Sequence, residues 1–60
     1  MKRRELECRL CDLGWTFQRD GRKHDVWTNR DGSFMEYLPR HTEINERLAK
    51  AILRRAKEKP

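Results

Sequence analysis

Two helical stretches on either side of three short strand-forming runs predict an α+β fold with two layers, helix, three-stranded antiparallel sheet, helix. Three observations carry this reading: leucines at helical spacing near the N-terminus, an alternating pattern from Trp15 punctuated by Asp-Gly pairs, and four-residue apolar spacing from Ile44 to Ala56. In the first stretch Leu6, Leu10 and Leu13 recur at i, i+4 and i+7 and Gly14 follows, so residues 3–13 read as an amphipathic helix stopped by glycine. Trp15 and Phe17 then alternate with Thr16 and Gln18 and are expected to face the core of a small sheet. Asp20-Gly21 is a turn signal, His24–Asn29 holds the strand formers Val26, Trp27 and Thr28, and Asp31-Gly32 is a second turn. Phe34–Leu38 is the third strand, ended by Pro39, which has no N–H to give to a ladder. The last helix carries Ile44, Leu48, Ile52 and Ala56 with Ala49 on its apolar face, and either Thr42 or Asn45 is placed to cap it. At about 100° per residue, Arg47, Lys50, Arg54 and Lys57 fall on the opposite side.

Size and charge bound the function. A chain of 60 residues with 35% hydrophobic content has room for one domain, residues 1–60, and one thin core. No apolar run approaches the roughly 20 residues needed to span a bilayer, and the N-terminus lacks the apolar core of a signal peptide, so a cytoplasmic protein without a membrane partner is expected. Fifteen Lys and Arg against 10 Asp and Glu leave +5, and the excess concentrates after His41. Such a surface attracts polyanions in a salt-dependent way, and Lys50 and Arg54 on the basic face of the last helix are candidate nucleic-acid contacts, with a merely solvated face as the alternative.

The chemistry lies in Gly21-Arg22-Lys23-His24-Asp25-Val26-Trp27, where a histidine stands among cations as a turn runs into a strand. Histidine exchanges protons near neutrality, and Arg22 and Lys23 can hold a phosphate against it. RNA carries a 2′-hydroxyl that attacks its own phosphodiester when a base removes its proton. His24 is the natural base or acid, and Lys23, Arg22 and Arg40 are candidates to neutralise the charge that builds on the phosphate oxygens. Taken by itself, His24 also reads as a turn histidine held by hydrogen bonds. His41, after Pro39-Arg40, has three readings: a second proton-transfer group, a phosphate contact, or a tie for the loop. The sequence contains no carboxylate cluster for a metal, so a reaction without metal or small-molecule cofactor is expected.

Cys8-Arg9-Leu10-Cys11 has zinc-like spacing, which would instead make the chain a metal-stapled nucleic-acid-binding module. The second half of that pattern fails, because His24 and His41 are far apart, and both cysteines point away from the leucine stripe, as exposed reduced thiols. Trp27 and Tyr37 stay open: Val26 occupies the strand face opposite Trp27, and either aromatic on the outer side of the sheet would serve RNA or a protein partner.

Taken together, the helix ending in Leu13-Gly14-Trp15, the Gly21-to-Trp27 stretch, the Asp31-Gly32 turn, Pro39-Arg40-His41 and the closing Glu43-Ile44-Asn45 to Ile52 helix resemble the HicA toxins of bacterial toxin–antitoxin pairs. The resemblance covers nearly the whole chain in order and spacing. It implies a fold similar to the double-stranded-RNA-binding domain, a type II toxin that cleaves messenger RNA, catalysis by His24, and inhibition by a HicB-type antitoxin. His41 recurs in the family's proline-arginine-histidine turn. The chain departs from the family at Arg22, where glycine is usual, which is expected either to alter the turn or to replace a backbone contact with a guanidinium one. A non-catalytic RNA-binding module of the double-stranded-RNA-binding type is the alternative.

Overall fold

A computed structural model describes residues 1–60. The order is α1 (Arg3–Asp12), β1 (Thr16–Asp20), β2 (His24–Thr28), β3 (Met35–Pro39) and α2 (Glu46–Glu58). The strands form an antiparallel meander in the order β1-β2-β3, so the α+β helix–sheet–helix architecture is as the sequence predicts. One face of the sheet supplies Trp27 and Leu38 to a core shared with Leu6 and Leu10 of α1, Trp15, Ile44, and Ala49, Ile52, Leu53 and Ala56 of α2. No helix is long and apolar enough to cross a membrane.

Local chemistry explains where each helix ends. Gly14 adopts φ 92°, its N–H donates to the Cys11 carbonyl at 2.9 Å, and the Trp15 N–H donates to the Leu10 carbonyl at 2.9 Å. This paired closure uses the left-handed conformation that glycine takes without strain, and it brings Trp15 back over Leu10. The buried indole Nε1 of Trp15 then donates to the Ala56 carbonyl of α2 at 3.2 Å. At the start of α2 the cap is Asn45, whose side chain accepts from the N–H groups of Arg47 and Leu48, while the Thr42 carbonyl accepts from Arg3. The N-terminal residues pair with the segment before α2, through Lys2 opposite Glu43 and reciprocal bonds between Met1 and Ile44.

Two apolar expectations are corrected. Phe17 is 51% exposed rather than in the core: it sits on the edge strand β1 and meets Trp27 edge-on, with ring centroids 6.3 Å apart. Leu48 is 39% exposed, because the buried face of α2 runs through Ala49, Ile52, Leu53 and Ala56, rotated by one position from the Ile44-Leu48-Ile52 line. Ile44 precedes the cap and is buried there without being helical. The sheet also carries an ion pair with one buried end, the carboxylate of Glu36, and a half-exposed arginine. Glu36 shares the inner face with Trp27, and its two oxygens accept from Nε and Nη2 of Arg55 at 2.7 and 3.0 Å, a bidentate link between β3 and α2.

Candidate active site in the first hairpin

The turn between β1 and β2 is built tightly by Gly21. Its N–H donates to the His24 carbonyl at 2.8 Å, and a Cβ at this position would collide with that same oxygen. The chain therefore needs glycine for close backbone approach, and the turn spans Gly21 to His24, with Asp20 already paired to Asp25 in the ladder. Arg22 and Lys23 are exposed at the tip and His24 is exposed as the first residue of β2. Arg22 does not adopt positive φ, so its departure from glycine introduces no left-handed strain. The expected change of the turn at Arg22 thus has no backbone cause.

Behind the turn lies a carboxylate clamp. Asp25 is only 5% exposed, on the inward parity of β2 with Trp27. Its Oδ2 accepts from Arg3 Nη2 at 2.8 Å and its Oδ1 from Arg40 Nε at 3.0 Å, while Arg3 also donates to Glu7. A buried charge requires such partners. Arg40 carries the restraint onward, its Nη2 donating to the Gly21 carbonyl and its Nη1 reaching the Arg22 carbonyl at 3.5 Å. The guanidinium expected as a phosphate contact is thus tied to Asp25 and to the turn itself, with part of its surface still open. His24 stands between a clamped Asp25 and a clamped turn, so its backbone is held from both sides.

The register decides what shares the surface with His24. On β1 a bulge falls between Phe17, paired with Trp27, and Arg19, paired with Val26, so the strand changes parity at Gln18. Arg19, Val26 and Tyr37 consequently form one row across the three strands on the face away from the helices. Together with Gly21, Arg22, Lys23 and His24 they line a shallow depression of about 360 Å³. Of the sequence-expected site residues, the structure brings Arg22, Lys23 and His24 into this depression and sets Arg40 behind it. Arg40 also lines a second depression, with Lys2, Arg3, Arg4, Glu7 and Thr42. His41 is exposed in the connection to α2, and Lys50 and Arg54 are exposed on the outer side of α2, none of the three lining the histidine's depression. Cys8 and Cys11 are free and exposed, and no group of three or more His, Cys, Asp or Glu side chains is arranged to hold a metal ion.

Sequence reasoning missed Asp25 and Arg19, and it left open the face of Tyr37, which the register sets on the outer side with Val26. An acidic residue at the inward parity of a strand is a signal for Asp25. Nothing local announces the bulge that turns Arg19 outward.

Fold and site define a small α+β protein with a cationic, histidine-bearing hairpin turn on an otherwise open sheet. No protein-family model, curated protein or solved structure matches the chain.

Proposed function

We propose that this protein is an RNA-cleaving toxin of the HicA kind, with a fold of the double-stranded-RNA-binding type, acting in the cytoplasm and held in check by a HicB-type antitoxin. The observation that supports it best is the exposed His24 in one depression with Arg19, Arg22 and Lys23, on a turn braced by Arg40 and Asp25. A phosphodiester seated among those cations puts a 2′-hydroxyl beside the imidazole. His24 takes the hydroxyl proton, the 2′-oxygen forms its bond to phosphorus, and the bond to the 5′-oxygen breaks, that oxygen leaving with a proton from solvent. The products are a 2′,3′-cyclic phosphate and a free 5′-hydroxyl, and the reaction uses no metal or other cofactor. Proton transfer of this kind is worth about 10²–10⁴-fold, and neutralising the charge on the phosphate oxygens by Lys23, Arg22 and Arg19 adds to it.

Expressing the chain alone and its His24→Ala variant tests the reading. The parental chain is expected to arrest growth and degrade messenger RNA, and the purified protein to cut RNA in the presence of a chelator, leaving cyclic phosphate ends. His24→Ala is expected to lose cleavage by at least about 100-fold while its melting temperature stays near the parental value, since an exposed side chain contributes little packing. Cleavage by the variant at the parental rate would remove the catalytic role. RNA binding in both forms, with no cleavage by either, would favour a non-catalytic RNA-binding module.

A further inference from the structure

We propose that Tyr37 is a stacking platform for an unpaired base, so that the RNA taken at His24 is single-stranded at the reacting nucleotide. This rests on the RNA-cleaving reading and narrows its substrate class. Tyr37 stands opposite Val26 on β3, and His24 is opposite Pro39, which makes Tyr37 and His24 diagonal neighbours on the outer face. Diagonal neighbours are about 7–8 Å apart. That separation is within the reach of one nucleotide between its base and its phosphate.

The burial of this row is uneven. Val26 forms a floor that is 1% exposed, whereas Tyr37 keeps 57% of its surface open. Tyr37 takes no part in the molecule's ring contacts, which are Phe17 with Trp27 and Lys59 over Phe34, so no aromatic ring or cation is stacked on it. A large flat ring left open beside an apolar floor, in a depression otherwise lined by Arg19, Arg22, Lys23 and His24, fits an occupant that is both flat and anionic. A nucleotide has that combination: the base stacks on the ring while its phosphate meets the cations. In a duplex both faces of each base are covered by its neighbours. A stacking site therefore selects single strands, loops and ends, although the helix–sheet–helix layout by itself is shared with duplex readers.

The test measures binding by fluorescence anisotropy in the His24→Ala background, which keeps the RNA intact. The probes are an unstructured pyrimidine-rich RNA strand and the blunt duplex it forms with its complement. The strand is expected to bind more tightly than the duplex. Adding Tyr37→Ala is expected to weaken strand binding by about 5- to 100-fold and leave duplex binding unchanged, with Tyr37→Phe restoring the strand affinity. Because Tyr37 is exposed, the alanine variant keeps its fold, which circular dichroism verifies. An unchanged strand affinity, or an equal loss on strand and duplex, overturns the stacking role and leaves the cleavage reading standing. Loss of binding to a protein partner with RNA affinity intact overturns it too, reassigning the ring to that interface. A protein that binds neither RNA overturns both readings.

Discussion

Asp25 couples the first helix to the histidine-bearing turn at the scale of one carboxylate, with Arg3 on one oxygen and Arg40 on the other. The two arginines are partly exposed and can regain water, but Asp25 cannot, so the energetic consequence depends on which partner is removed. Arg3→Ala or Arg40→Ala alone leaves one ion pair in place. Removing both strands a buried carboxylate, which costs about 3–5 kcal/mol and exceeds the sum of the single effects. Urea denaturation of the four forms measures this, and strictly additive losses would show that the clamp does not act as a unit. Arg40→Ala also frees the Gly21 and Arg22 carbonyls, so RNA cleavage is expected to fall by more than its modest effect on stability explains. His24, Arg22 and Lys23 were legible in the sequence because a turn keeps near neighbours together. Arg40 was legible as a cation but not as a brace, since its partners lie 15 and 19 residues away.

The outer face of α2 presents Arg47, Lys50, Arg54 and Lys57 at the element scale, while Arg55, one residue on, turns inward to Glu36. The Asn45 cap and the buried run Ala49, Ile52, Leu53, Ala56 fix that rotation, so reversing outer charges spares the core. Lys50→Glu combined with Arg54→Glu is expected to weaken RNA binding and to reduce the slope of log affinity against log salt by about two units, one for each counterion no longer released. A titration across salt concentrations with an unchanged slope would show that this face is only solvated. The strands obey a different logic. Between Trp15 and Phe17 the alternation is readable, and Trp15 is buried as expected, but Phe17 lies at the open margin of an edge strand. Alternation assigns a face, whereas cover by a helix decides burial.

Over the whole molecule, the N-terminal segment is clipped to the start of α2. The ammonium of Met1 lies 3.3 Å from Glu43 and is hydrogen-bonded to Glu46. The bond to Glu46 raises the amine above its ordinary 8.0, and the same bond lowers the Glu46 carboxyl below its ordinary 4.5. A raised amine contributes stability below about pH 8 that is lost as pH climbs through its folded value, and a lowered carboxyl contributes stability above about 4.5 that is lost on acidification through its folded value. Melting temperature is therefore expected to fall at both ends. Glu46→Gln should flatten both arms relative to the parental chain, and identical pH profiles would rule the clip out as their source. Under the proposed function the +5 charge also bears on the choice of partner, since the electrostatics that would draw RNA would equally draw an acidic inhibitor. A cognate antitoxin is expected to cover His24, with carboxylates against Arg22, Lys23 or Arg40, so that antitoxin and RNA compete. Tight antitoxin binding that leaves RNA cleavage intact would exclude this mode of inhibition.

The sequence by itself determined the helix–sheet–helix order, the stops at Gly14 and Pro39, the exposed cysteines and the grouping of Arg22, Lys23 and His24. Each of these follows from local periodicity, turn chemistry or chain adjacency, which act over a few residues. Tertiary structure alone decided that Arg19 faces outward past the bulge, that Trp27 is inside while Tyr37 is outside, that Asn45 rather than Thr42 caps α2, and that Asp25 recruits Arg3 and Arg40. Those outcomes depend on register between strands and on which faces the helices cover. Both are settled by burial of the shared core, where Trp15, Trp27 and Leu38 of the sheet side meet Leu6, Leu10 and Ile52, residues too far apart in the chain for any local pattern to pair them.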